Sequence, residues 1–185
     1  MQFLKSAVTA LAILGGAAGG VAAQQGDPDG MDDLFTALRD AGPDAADEIA
    51  QKIWEQWSRS GSPAMDLLLE RGREAMEQGD PVTAIGHFTA LIDHAPEFAE
   101  GYNARATAYF QNGQYGPALD DIRTTLSLNP RHFGALAGLG TIMEELGHDD
   151  LALRAWKEVE ELNPSQENLT ATIERLERRV GGTTL

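Results

Sequence analysis

The sequence predicts an all-α protein: a short right-handed α-solenoid of three helix-turn-helix repeats, preceded by an N-terminal helical pair and closed by a C-terminal capping helix. Three observations carry this expectation. Pro96, Pro130 and Pro164 end three similar segments and stand 34 residues apart each time. The same offset aligns further columns: Leu68, Tyr102 and Leu136; Gly72, Ala106 and Gly140; Gly79, Gly113 and Gly147; Ala84, Ala118 and Ala152; Phe88, Ile122 and Trp156. Apolar residues also recur at helical spacing, with Tyr102, Ala106 and Tyr109 on one stripe and Ala118, Ile122 and Leu126 on another. A fixed period of this length marks stacked units, none of which can bury its apolar face alone.

The chain has 185 residues, 42% of them apolar, and a formal charge of -15. That is enough apolar content for one packed domain or a short solenoid. The acidic balance argues against a nucleic-acid partner, which needs clustered Lys and Arg, and against an anionic membrane surface. There is no cysteine. Disulfides, zinc-cysteine sites, thiol catalysis and acylation at a lipoprotein-type cysteine are thereby excluded.

Residues 1–23 read as a secretory signal peptide. Lys5 gives the charged start, Ala7 to Leu14 the apolar centre, and Val21-Ala22-Ala23 a small-residue exit with cleavage expected after Ala23. The competing reading is a membrane anchor, but a spanning helix needs about 20 strongly apolar residues, and this stretch is short and diluted by glycine. Residues 24–30 are a flexible leader. The expectation is an exported protein, periplasmic or secreted in a Gram-negative bacterium, with no membrane insertion after cleavage.

Residues 31–62 form the N-terminal helical pair, Met31–Asp40 and Pro43–Trp57, split by Ala41-Gly42. The pair is expected to cap the first repeat. In the alternative, Trp54 and Trp57 make it a separate docking element, since closely placed tryptophans anchor partners. Ser62 is placed to cap the helix that follows.

Residues 63–166 hold the repeats, 65–98, 99–132 and 133–166. Helices are expected at 65–78 and 81–94, 97–112 and 115–128, and 131–146 and 149–162. The small residues at 72, 106 and 140 and at 84, 118 and 152 mark close helix approach. The bulky residues at 88, 122 and 156 fill the volume between one pair and the next. The glycines at 79, 113 and 147 suit left-handed helix caps, and the prolines end each second helix. These columns resemble the tetratricopeptide repeat family, most closely in Leu136, Leu139, Gly140, Ala152, Trp156 and Pro164. Arg71 and Arg105 stand where that family usually has Leu, and Thr125 replaces a small apolar residue. Residues 167–181 form the capping helix, with Leu169, Ile173, Leu176 and Val180 on one stripe and Ser165 as its N-cap.

No string of residues points to catalysis. His87 and His94 are two turns apart, too far to chelate one metal directly, and no phosphate loop or nucleophile elbow occurs. Asp120-Asp121 and Glu144-Glu145 are adjacent and read as solvated surface. The expectation is a non-enzyme with no cofactor and no metal.

The family resemblance implies a superhelix whose concave side is lined by the first helix of each pair and holds a peptide or other segment of a partner protein. By repeat position the lining residues are Leu69, Arg73 and Met76, then Asn103, Thr107, Phe110 and Gln111, then Ala137, Thr141 and Glu144. Family members that clamp a chaperone's terminal carboxylates use Lys, Arg and Asn at set positions. Here those positions hold Leu69, Arg73, Ala104, Gly134 and Gly138, so only Arg73 offers charge. The functional expectation is an interaction module of the cell envelope. The alternatives are a structural, oligomerising envelope protein and an accessory subunit of an envelope enzyme complex.

Overall fold

The computed structural model describes residues 30–182, and every regular element among them is a helix: α1 Met31–Asp40, α2 Pro43–Trp57, α3 Pro63–Glu77, α4 Pro81–His94, α5 Ala99–Gln111, α6 Tyr115–Leu128, α7 Phe133–Glu145, α8 Asp149–Leu162 and α9 Leu169–Gly182. The expected signal peptide, and the leader apart from Gly30, lie outside the described residues. None of the described helices is long and apolar enough to cross a membrane.

Helices α3/α4, α5/α6 and α7/α8 pack as antiparallel pairs, and each pair stacks on the next. The first helices of successive pairs also meet one another, α3 with α5 and α5 with α7, which is the arrangement of a solenoid with one lined face. Gly79, Gly113 and Gly147 turn the chain within each pair at φ of 74°, 71° and 74°. Around each, the chain bonds back across the helix end, as from the Asp80 N–H to the Ala75 carbonyl at 2.9 Å. A Cβ would be strained at these three sites.

The columns at 72, 106 and 140 and at 88, 122 and 156 act together. A Cβ on Gly72 would overlap the Phe88 ring, and one on Gly140 would lie 2.6 Å from Trp156 Nε1. Ala106 and Ile122, the corresponding pair in the middle repeat, share one buried cluster. Each bulky side chain therefore seats on the small residue of its own repeat. The same side chains also reach the next pair, as expected: Ile122 borders Gly138 and Phe88 lines a cavity with Ala104. Small and large residues are matched: glycine under an aromatic ring, alanine under isoleucine.

Arg105 replaces the usual leucine without leaving a charge stranded. Its guanidinium donates from Nε and Nη2 to Asp121 at 2.7 and 2.8 Å, and from Nη1 to Thr89 Oγ1 at 3.1 Å. The hydrogen bond to Asp121 raises the Arg105 pKa above its ordinary value against the opposing effect of burial. Asp121 is 5% exposed, so it is a buried structural partner, and only Asp120 of that pair is solvated as expected. Thr125, fully buried, satisfies its hydroxyl on the Asp121 carbonyl at 2.9 Å.

The flanking helices depart from expectation in three ways. The N-terminal pair does not cap the first repeat: α1 packs against α8, and Phe35, Leu38 and Ile53 form a cluster with Phe133. Leu67 and Val82 of the first repeat stay exposed. Second, α5, α7 and α9 each begin two residues late, because the residues after each proline form a turn before the helix starts. Asn168 adopts a left-handed φ of 59° just before α9, and Ser165 is not a cap but donates to the Ala41 carbonyl at 3.1 Å. Third, Ser62 makes no side-chain cap on α3. Asp66 folds back instead and accepts from the Ser60 hydroxyl at 2.6 Å. The capping helix itself forms as expected, with Leu169, Ile173 and Leu176 buried against the third repeat.

Three stability outcomes follow from this packing. Gly140→Ala should destabilise the chain by about 1–3 kcal/mol in urea unfolding, the usual range for overpacking. Gly138→Ala should be neutral or stabilising by up to about 1 kcal/mol, since its Cβ would meet only Ile122 Cδ1 at 3.5 Å. Arg105→Leu should cost about 3–5 kcal/mol by leaving Asp121 buried and unpaired, whereas Arg105→Leu with Asp121→Leu should recover most of that loss.

Candidate functional site

Helices α3, α5 and α7 present a groove whose floor is a buried polar network. Glu100, in the first turn of α5, is 3% exposed and accepts from three side chains. Arg73 Nη2 of α3 donates to Oε1 at 2.6 Å. Asn103 Nδ2 donates to Oε2 at 3.1 Å, and His132 Nε2 lies 3.0 Å from the same oxygen. His132 Nδ1 accepts the Ala135 N–H at 3.1 Å, which caps α7 and leaves the ring proton on Nε2, facing Glu100. One carboxylate thus ties together the first helices of all three repeats. A buried charge is tolerated only with such a complete set of donors.

Aromatic rings from the N-terminal pair cover this network. Trp57 stacks on His132 with centroids 4.2 Å apart and planes at 18°. Trp54 stands edge-on to His132 at 5.3 Å and to Phe133 at 5.6 Å. Room for Trp54 exists because Gly134 has no side chain: a Cβ there would lie 2.5 Å from the indole Cη2. The Ser58 hydroxyl at the end of α2 accepts a second bond from Arg73 at 3.0 Å.

Two adjoining cavities open on this face. The smaller, of about 140 Å³, is mainly apolar and lies between α5 and α7, lined by Ala106, Thr107, Phe110, Gly138, Thr141 and Ile142. The larger, of about 340 Å³, lies between Trp54 on one side and Arg73, Met76, Ala104 and Gln111 on the other. Asn103 and Thr107 border both.

Seven of the ten residues expected to line the groove therefore lie at these cavities: Arg73, Met76, Asn103, Thr107, Phe110, Gln111 and Thr141. Three are placed elsewhere. Leu69 is buried in the core of the first repeat at 2% exposure. Ala137 packs beside the Leu136, Val159 and Leu169 cluster. Glu144 accepts from Trp156 Nε1 at 3.0 Å and from Arg175 at 2.6 Å, and this bond raises the Arg175 pKa. Glu144 thus fastens the capping helix. Asn103, expected to bond a partner's backbone, spends its amide on Glu100 and is 8% exposed.

Glu100 and His132 are groove residues that the sequence does not point to, and Gly134, placed at a clamp position, serves instead as the seat of Trp54. Gly134 and Gly138 did carry a signal. They stand four apart in a helix, where each costs about 1 kcal/mol relative to alanine, so one bare helix face implies close approach from outside. Glu100 and His132 carry little, because the period does not repeat them: Glu100 is matched by Gly134 and by Asp66, a carboxylate that bonds Ser60 instead, and His132 by Phe98 and Gln166.

Comparison with known proteins agrees with this architecture. The family model for the tetratricopeptide repeat matches residues 69–120 and 103–167. A TPR repeat-containing protein of Rhizobium etli is 34% identical over 82% of this chain and 75% of its own length. Small glutamine-rich tetratricopeptide repeat-containing protein 2 of Saccharomyces cerevisiae is 30% identical over 71% of this chain but only 37% of its own length. Among solved structures, the first TPR of Spaghetti (RPAP3) bound to the HSP90 peptide SRMEEVD superposes with a TM-score of 0.61 at 24% identity. It covers 63% of this chain and 93% of that one, and at this identity it speaks for the fold alone. The repeat register, the stacked helix pairs and these matches lead to one conclusion: the chain belongs to the tetratricopeptide repeat family.

Proposed function

We propose that the protein is a non-catalytic interaction module of the cell envelope that binds a segment of a partner protein in the groove of α3, α5 and α7. The observation that carries this reading is the smaller cavity. A pocket walled by Phe110, Ile122 and Ile142, and left open because Gly138 has no side chain, suits one apolar side chain of a bound segment. Solved neighbours of this fold include one bound to a peptide of HSP90 and a domain of yeast Sti1 in complex with Hsp70. Their mode of use supports a peptide ligand here.

The ligand chemistry differs from a carboxylate clamp. Arg73 is the one cation among the clamp positions, and Glu100 already neutralises it. The envelope location rests on the expected signal peptide of residues 1–23. The oligomerising alternative finds less support, since Trp57 is packed against His132 and Phe133 of the same chain and Trp54 faces the groove.

The test is recovery of partner from an envelope extract by the chain lacking residues 1–23, compared with a variant whose small cavity is filled. Gly138→Leu should place its side chain in that cavity and cut recovery about tenfold or more, and Phe110→Ala should weaken it less. Equal recovery by wild type and Gly138→Leu, with both chains equally helical, would remove the cavity from the function.

A further inference from the structure

We propose that Trp54 is a fourth wall of the groove, and that the larger cavity it closes takes an arginine or lysine side chain from the partner segment. The inference rests on the groove reading above and specifies the chemistry of its ligand. Trp54 belongs to α2, outside the repeats, yet it lines the cavity opposite Met76 and Thr107. It is fixed there by edge contacts to Trp57 at 5.3 Å and 82°, to His132 at 5.3 Å and 80°, and to Phe133 at 5.6 Å and 90°. An indole held in this way is a rigid recognition surface, since it pays little further ordering entropy on binding.

Charge selects the occupant. Within the cavity Arg73 and Glu100 cancel as an ion pair, which leaves Glu77 as its uncompensated charge. Glu77 continues along the exposed side of α3 into Glu74 and Glu70, and all three border the adjoining part of the face. Among the described residues no basic side chain forms an ion pair with any of the three. A side chain with an apolar stem and a cationic head satisfies both halves of the site. The stem lies along Met76 and the indole, and the head meets the ring and the Glu77 carboxylate. The shared border at Asn103 and Thr107 puts the two cavities within reach of one short segment, an apolar residue in one and a basic residue in the other.

The test uses a fluorescent nonapeptide carrying a leucine and an arginine three residues apart, and its counterpart with citrulline, which keeps the shape of arginine and removes the charge. Anisotropy titration of the purified chain should show the arginine peptide binding about tenfold more tightly, a difference of about 1.4 kcal/mol. Added salt should shrink that preference. Glu77→Gln should abolish it, Trp54→Ala should reduce it, and Trp54→Phe, which keeps a ring, should preserve most of it. Circular dichroism confirms that each variant is folded. Equal binding of the two peptides by wild type, binding of neither, or an undiminished preference in Glu77→Gln would each overturn the proposal. Gly138→Leu separates the two readings. If it abolishes binding of both peptides while wild type shows no charge preference, the groove stands and the role of Trp54 and Glu77 falls.

Discussion

The Glu100 carboxylate is the point on which the rest of the concave face depends. It is buried, and it is satisfied only because Arg73, Asn103 and His132 reach it from three successive first helices. Solenoid repeats ordinarily hold together through nearest-neighbour packing alone. Here α3 and α7, which belong to repeats one apart from the middle one, are also joined through a single anion. Burial of that charge is offset only while all three partners reach it, so the network ties α3, α5 and the start of α7 together at the groove floor.

The N-terminal pair builds on the same point. Trp57 lies flat on His132, and Arg73 bonds Ser58 with the same nitrogen that holds Glu100. Phe35 extends the aromatic cluster to Phe133 and receives the Arg131 guanidinium over its ring at 4.4 Å. The pair is therefore placed by contacts to the third repeat and the groove floor, and it reaches the first repeat only across the groove, through Ser58 and Arg73. The placement narrows the groove and brings an indole from outside the repeat register into it. Specificity in this chain can then vary through α2 without disturbing the columns that hold the solenoid together.

The repeats were legible because each of their constraints is local or strictly periodic. Gly79, Gly113 and Gly147 need positive φ, Pro96, Pro130 and Pro164 end helices, and the small residues at 72, 106 and 140 answer the bulky ones sixteen positions later. Each of these leaves a mark at a fixed offset. The groove chemistry was legible only in part, because its decisive groups break the period. His132 has no equivalent in the other repeats, the Asp66 that matches Glu100 bonds Ser60 instead, and Asp121 reads as surface because its partner Arg105 lies on another helix. The seat of Trp54 and Trp57 depends on how a flanking hairpin folds back across the repeats, which neither propensity nor period encodes. Helix starts after each proline are not legible for a simpler reason: the Pro-x-x turn uses residues that have ordinary helical composition.

The most direct test of this account is removal of the shared anion, by Glu100→Ala, followed by urea unfolding and near-ultraviolet circular dichroism. Stability should fall by about 3 kcal/mol or more, because Arg73 and His132 are left without their shared carboxylate. The dichroic signal from Trp57 should be lost as the indole comes off His132, with helix content kept. Unchanged stability together with an unchanged aromatic spectrum would contradict the claim that one buried carboxylate organises the groove.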